Sequence, residues 1–264
     1  MMIDIGANLT HDSFDADRDE VIQAARAAGV KTFIITGSDV SCSTKARDLA
    51  HQYDDCFATA GIHPHHAGDF DGESQAALLS LLSDDKVVAV GETGLDYFRD
   101  FSPRPAQVFS FEQHIQMAIE NDMPMFLHQR DAHVDFKPIL EAHRDQLSQV
   151  VVHCFTDNER ALFDYLDLDC YIGITGWICD ERRGQHLLEL IDNIPTDRLM
   201  IETDSPYLLP RNLQPKPKTR RNEPKYLAHI AAFVAQQLDM PTEQLIAATA
   251  ENSRRFFNLA PEPH

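Results

Sequence analysis

A (β/α)8 TIM barrel of the α/β class is the fold this sequence predicts, on three observations. Eight short apolar runs rich in Val, Ile, Leu, Phe and Ala alternate with helical stretches along 264 residues, close to the about 250 usual for this barrel. No Gly-rich phosphate loop follows the first run, which disfavours the runner-up, a doubly wound open sheet. Most of the runs end abruptly on His, Glu, Asp or Asn, at the carboxyl ends where a barrel of this kind gathers its site. No linker, low-complexity tract or repeat beyond the alternation breaks the chain, so residues 1–264 are expected to form one domain.

Ile3-Asp4-Ile5-Gly6-Ala7-Asn8 reads as the first strand, with Asp4, Gly6 and Asn8 on one face by the two-residue period. A helix over 15–29 leads to strand two, Thr32–Thr36, and a helix over 41–53 to strand three, Phe57–Ile62, which runs into His63-Pro64-His65-His66. After a helix over 73–84, Val87-Val88-Ala89-Val90-Gly91-Glu92-Thr93-Gly94-Leu95-Asp96-Tyr97 supplies strand four, with Glu92 where the apolar run stops. A longer helix over 105–121 precedes strand five, Pro124–Leu127, which ends in His128-Gln129-Arg130-Asp131. A helix near 134–146 precedes strand six, Gln149–Val152, which ends in His153-Cys154. Helix 158–168, strand seven (Cys170–Ile174), helix 184–193 and strand eight (Leu199–Glu202) complete the alternation, and Thr203-Asp204-Ser205-Pro206 closes the last strand. Two helices, about 224–238 and 242–257, follow a Pro- and Arg-rich loop over 205–224.

Composition narrows the functional classes. A net charge of −19 argues against broad, non-specific binding to duplex nucleic acid, although a local basic patch or metal ions reverse the field within one cleft. Five scattered cysteines without a CxxC point to reduced thiols rather than a disulfide framework or structural zinc site. No apolar run reaches membrane-spanning length and no basic-then-apolar leader is visible, so a cytoplasmic protein without a membrane partner is expected. Long loops at the barrel mouth suit a monomer.

The strand ends bring together Asn8, His63, Glu92, His128, His153 and Asp204, and five of these six are residue types that bind divalent metals. Glu202 and Asp204 share one side of strand eight, which suits one metal ligand and one proton acceptor or orienting group. The bland reading of that pair is a capped turn with a structural ion pair. His63 is the best placed of its cluster, and His65 and His66 read as surface histidines. Arg130, two residues past His128, suits a phosphate oxygen or an ion pair with Asp131 or Glu92. The loop Pro210–Pro224 carries five basic residues (Arg211, Lys216, Lys218, Arg220, Arg221) and one acidic, a local reversal that suits guidance of a polyanionic strand. Tyr97, Phe98, Trp177 and Tyr207 fall in mouth loops, where they stack on bases or pack beneath the loops.

Gly61-Ile62-His63-Pro64-His65, Gly91-Glu92-Thr93-Gly94-Leu95-Asp96-Tyr97, His128-Gln129-Arg130-Asp131-Ala132, Val152-His153-Cys154-Phe155-Thr156 and Glu202-Thr203-Asp204-Ser205-Pro206-Tyr207-Leu208 together resemble the TatD family, metal-dependent deoxyribonucleases of the amidohydrolase-like barrel group. The resemblance runs from residue 3 to about 257. It implies a Mg²⁺-dependent 3′→5′ exonuclease acting on single-stranded DNA or RNA, with a role in repair of oxidative DNA damage. It implies Glu92, His128 and His153 as metal ligands, Asp204 in the same site, and His63 and Glu202 close by. In the chemistry this suggests, Asp204 or Glu202 takes a proton from the attacking water, His63 or His128 meets the phosphate, and Arg130, Arg211, Arg220 and Arg221 position the strand.

One departure bears on the metal. Most relatives begin with two histidines one residue apart at the end of strand one, and here those places hold Gly6 and Asn8. Losing two imidazoles implies looser, oxygen-rich binding suited to Mg²⁺, or Mn²⁺, rather than tightly held Zn²⁺. The residues also leave room for a metal-dependent amidohydrolase or lactonase acting on a small molecule, and for a non-catalytic binding module on a decayed barrel.

Overall fold

The computed structural model describes residues 1–260, so the last four residues of the expected domain lie outside the described residues. In chain order its strands and helices are β1 (Met2–Ala7), α1 (Arg18–Ala27), β2 (Val30–Ile35), α2 (Val40–Ala50), β3 (Cys56–Ala60), α3 (Gly72–Leu82), β4 (Val87–Asp96), α4 (Arg104–Asn121), β5 (Met125–Arg130), α5 (His133–His143), β6 (Val150–Val152), α6 (Glu159–Asp167), β7 (Tyr171–Ile174), α7 (Gln185–Leu190), β8 (Leu199–Ile201), α8 (Leu227–Gln237) and α9 (Thr242–Phe256). The eight strands follow one another through a single sheet in the order β1 to β8. β1 then returns to β8: Ala7 bridges Ser205 in parallel. The Asp204 amide donates to the Gly6 carbonyl at 2.8 Å, and the Asn8 amide to the Ser205 carbonyl at 2.8 Å. This is the expected (β/α)8 barrel. Among the described residues no helix is long and apolar enough to cross a membrane.

Contacts divide the chain into two compact units. One comprises Met1–Ile34, Cys154–Asn158 and the chain from Ile172 onward. All six residues of β1 and all three of β8 are buried, as a strand covered on both faces requires. Ile5, Phe33, Ile34, Ile172 and Met200 are fully enclosed there. α1 starts with Asp19 and Glu20 in its first turn and carries Arg26 in its last, the charge order that complements a helix dipole.

The other unit comprises Ile35–His153 and Glu159–Tyr171. α2 is capped by the Asp39 carboxylate, which accepts from the Cys42 amide at 2.8 Å, and α3 by a reciprocal box between Asp71 and Ser74. Phe111 of α4 stacks on Phe136 of α5 with ring centres 5.0 Å apart, and both are fully buried.

β4 spans nearly the stretch expected but departs from the sequence expectation at Glu92, which the sequence reads as a strand end. It does not stop at Glu92 but runs on through Thr93, Gly94 and Leu95 to Asp96, so Glu92 sits mid-strand. The register against β5 shifts between Gly91 and Thr93. Glycine is required on both sides of that bulge. Gly91 has φ +146° and Gly94 φ +139°, and a Cβ at either would lie 2.2 Å from the Phe126 carbonyl oxygen or 2.0 Å from that of His128. β5 likewise continues past Leu127 through His128 to Arg130.

Candidate metal centre

In the second unit β5 and the ends of β3 and β6 aim three imidazoles at one carboxylate oxygen of β4. Glu92 Oε1 lies 2.7 Å from His153 Nε2, 3.0 Å from His128 Nδ1 and 3.3 Å from His63 Nε2. Glu92, His63 and His153 are buried. Donor atoms of His63, Glu92 and His128 all fall within 4.8 Å of one another. His153 follows β6 directly, and its ring stacks on Phe126 with centres 4.5 Å apart.

Each ring is oriented by a second contact. His63 Nδ1 accepts from the His65 amide at 3.1 Å, so in the neutral ring the proton sits on Nε2, facing Glu92. His128 turns Nε2 to Asp96 Oδ2 at 3.2 Å. His65 Nε2 reaches the same oxygen at 2.9 Å. Asp96 Oδ1 meanwhile accepts the Phe98 and Arg99 amides at 3.0 and 2.8 Å. His114, buried in α4, accepts the Ile62 amide on Nε2 at 3.0 Å and uses Nδ1 on the Ser110 carbonyl, which fixes the backbone just before His63.

Protonation follows from these contacts. Burial alone would raise the Glu92 carboxyl, but the charge of His153 and the hydrogen bonds from the surrounding imidazoles hold it well below the usual carboxylate range. Asp96 is likewise favoured by burial toward the neutral acid, and its bonds from His128, His65 and Arg99 overcome that and lower it. Burial pushes His63 down to about 4, against the pull of Glu92. Burial also lowers His128, but hydrogen bonds to Asp96 and Glu92 raise it on balance.

The first unit carries the other predicted carboxylates. Asp204 Oδ1 accepts from Asn8 Nδ2 at 2.9 Å, and Glu202 Oε1 accepts from the Cys154 amide at 2.6 Å. Asp4, fully buried in β1, accepts from the Thr203 amide at 2.9 Å and the Thr203 hydroxyl at 2.6 Å. Burial, helped by the nearby Glu202 charge, pushes Asp4 up to about 7 against the Thr203 hydrogen bonds.

The structure therefore gathers His63, Glu92, His128 and His153, and separately joins Asn8 to Asp204. Two readings need correction. His65 is no surface histidine: its side chain is largely covered and shares Asp96 with His128. Asp96 itself carried no role in the sequence reading, because its partners lie 31 and 32 residues away and only the strand pairing brings them together. The basic loop is also less available than its composition suggests. Arg221 pairs with Asp17 at 2.6 Å and Glu223 at 3.1 Å, and Arg211 lies 3.3 Å from Glu181. Arg220 is exposed, and Arg130 lies over the Phe98 ring at 4.2 Å. A second cluster, His51 with Asp84 and Asp85, is a surface group in which Arg47 also meets Asp84.

The donor set fits a divalent cation. One ionised carboxylate with several imidazoles around it is ligand chemistry for such an ion, and Asp96 behind His128 stands where a carboxylate would orient that ring toward an ion.

Comparison with known proteins gives the family and agrees with the fold. The sequence model of the family described as TatD related DNase matches residues 3–258. The chain is 48% identical over 259 residues to the 3′-5′ ssDNA/RNA exonuclease TatD of Erwinia tasmaniensis, covering 98% of this chain and all of that one. It is 46% identical over 258 residues to the protein of the same name from Citrobacter rodentium, covering 98% of each. The crystal structure of YJJV, a TatD homolog from Escherichia coli, superposes with a TM-score of 0.90 at 27% identity and covers 98% of each chain.

Proposed function

The chain belongs to the TatD-related DNase family, and from that premise we propose that it is a metal-dependent nuclease, a 3′→5′ exonuclease on single-stranded DNA and RNA. The observation that carries the reading is the convergence of three imidazoles on Glu92 Oε1. Such a cluster suits a divalent cation, and the relatives of like length and high identity are named as exonucleases.

In this reading Glu92, His128 and His153 hold the metal, and the family resemblance implies Asp204 as a further ligand. A bound divalent ion supplies Lewis-acid polarisation of the phosphodiester and makes water a better nucleophile at neutral pH. His63 does a different job. Its Nδ1 is already an acceptor, so Nε2 carries a proton and donates, which suits a non-bridging phosphate oxygen better than a metal. Asp204 takes the proton from the attacking water. Its carboxylate is steadied by Asn8 Nδ2. Glu202, tied to the Cys154 amide, holds the turn that follows His153. Arg130 orients the diester.

Mg²⁺ or Mn²⁺ is the proposed ion. Asn8 contributes an amide where the resemblance expects an imidazole, and Gly6 contributes nothing. That tilts the site toward oxygen-preferring ions, although the imidazoles of His128 and His153 would also hold a softer one.

The test is substrate class. With Mg²⁺ or Mn²⁺ present, single-stranded oligonucleotides are expected to be hydrolysed with a kcat/KM far above that for aryl esters, lactones or N-acyl amino acids. Turnover of a lactone or amide without any phosphodiester hydrolysis would replace this reading with a small-molecule hydrolase.

A further inference from the structure

The loop between β4 and α4 is fixed at both ends and yet presents two phenylalanines to solvent. Gln107, fully buried, donates through Nε2 to the carbonyls of Asp96 at 3.3 Å and Ser102 at 2.8 Å, and its Oε1 accepts from the Asp96 amide at 2.8 Å. Ser102 Oγ donates to the His65 carbonyl and accepts from the Gly68 amide. The Asp96 carboxylate holds the Phe98 and Arg99 amides. A loop tethered in this way does not swing its side chains inward, and Phe98 is 53% and Phe101 68% exposed. Large rings in that position forgo burial that a core would give them.

Their neighbours say what would cover them. The Arg130 guanidinium lies over the Phe98 ring at 4.2 Å, and that of Arg99 at 5.5 Å. The Phe101 ring centre is 4.8 Å from that of His65, which shares Asp96 with His128. The path from the Glu92 cluster to an exposed aromatic face is therefore two side chains long. The nearest acid on the loop, Asp100, is already paired with Arg104. Flat apolar faces beside guanidinium groups, next to a phosphodiester-cleaving centre, match an unstacked base attached to an anionic backbone. A duplex does not match, because its base faces are covered by their own stack. In a chain of net charge −19, attraction to phosphate alone is weak, and stacking adds affinity that does not depend on charge.

Resting on the exonuclease reading above, we propose that Phe98 and Phe101 form a stacking platform for bases beside the scissile phosphate, flanked by Arg99 and Arg130, and that this platform gives the preference for single strands.

The test compares a short single-stranded oligonucleotide with copies carrying an abasic residue at each of the 3′-terminal nucleotides in turn. For the wild-type protein, removal of the stacked base is expected to raise KM on the order of 10-fold at one position or two. In the Phe98→Ala/Phe101→Ala protein the intact and abasic strands should be handled alike, and Phe98→Trp/Phe101→Trp should restore the difference. A purely structural role for the rings would move both substrates together and leave their ratio intact. Phe101→Ala alone, at the more exposed position, gives a second reading with little risk to the fold. A wild-type protein that digests intact and abasic strands equally at every position, or a double variant that keeps the wild-type ratio, overturns the platform and leaves the exonuclease reading standing. A wild-type protein that digests no strand overturns both.

Discussion

Glu92 occupies a buried position where an ionised carboxylate is normally expensive, and it is ionised because imidazoles meet it on several sides. The arrangement is held from behind by Asp96, whose Oδ2 serves His65 and His128 while its Oδ1 serves two loop amides. Asp96→Asn keeps the acceptor for those amides and removes the negative charge behind His128. Its expected effect is a loss of metal affinity of about 10- to 100-fold with the fold intact. Calorimetric titration with Mn²⁺ measures it, and an unchanged affinity would show that Asp96 does not orient a ligand. At this scale the sequence was informative wherever a polar residue followed an apolar run, as at His63, His128 and His153. It was silent where function depends on a partner across the sheet. Nothing in the local sequence of Asp96, His65 or His114 marks them, because their contacts are made only after β3, β4 and β5 align.

The element that organises the second unit is β4, and the two glycines beside Glu92 explain why it can carry a carboxylate mid-strand. The bulge between Gly91 and Thr93 re-aims the backbone there, and the positive φ values and close backbone contacts at Gly91 and Gly94 exclude other residues. Gly94→Ala would force a Cβ onto the His128 carbonyl oxygen, and the expected cost is at least about 2 kcal/mol of stability. The urea midpoint of the variant measures it; a midpoint equal to wild type would mean that the strand accommodates the side chain. All eight strands were legible as apolar runs of the right length, and the helices between them as amphipathic stretches. The end of β5 was not, because His128 and Gln129 are polar and read as loop, and Glu92 reads as the end of β4 rather than its middle. Parallel pairing overrides that preference: Thr93, His128 and Gln129 lie in the β4–β5 ladder, where His128 turns its ring to Glu92 and Gln129 turns away to the Tyr165 hydroxyl.

Across the whole molecule, buried titratable groups give stability a definite pH dependence. Asp4 is raised from 3.8 to about 7, so the folded chain holds its proton more tightly than the unfolded chain does. Its contribution is fully present below about pH 4 and is lost as pH rises through about 7, a change on the order of 4 kcal/mol. Burial of His63 and His114, each lowered to about 4, acts in the opposite sense, with stability gained as pH rises from about 4 to 6.5. The quantity to read is therefore the difference between wild type and Asp4→Asn. In melts recorded with chelator, wild type should lose more stability than the variant between about pH 5 and pH 8. Equal losses would mean that Asp4 is ionised throughout.

The most direct measurement is digestion of a single-stranded oligonucleotide labelled at its 5′ end, with divalent metal and with chelator, beside the Glu92→Ala protein. The expected result is a ladder that shortens from the 3′ end, seen only with metal and intact Glu92, and slowed at least about 100-fold in the variant. Undiminished digestion by Glu92→Ala or in chelator, or no digestion by the wild-type protein with any metal, would contradict a nuclease built around this carboxylate.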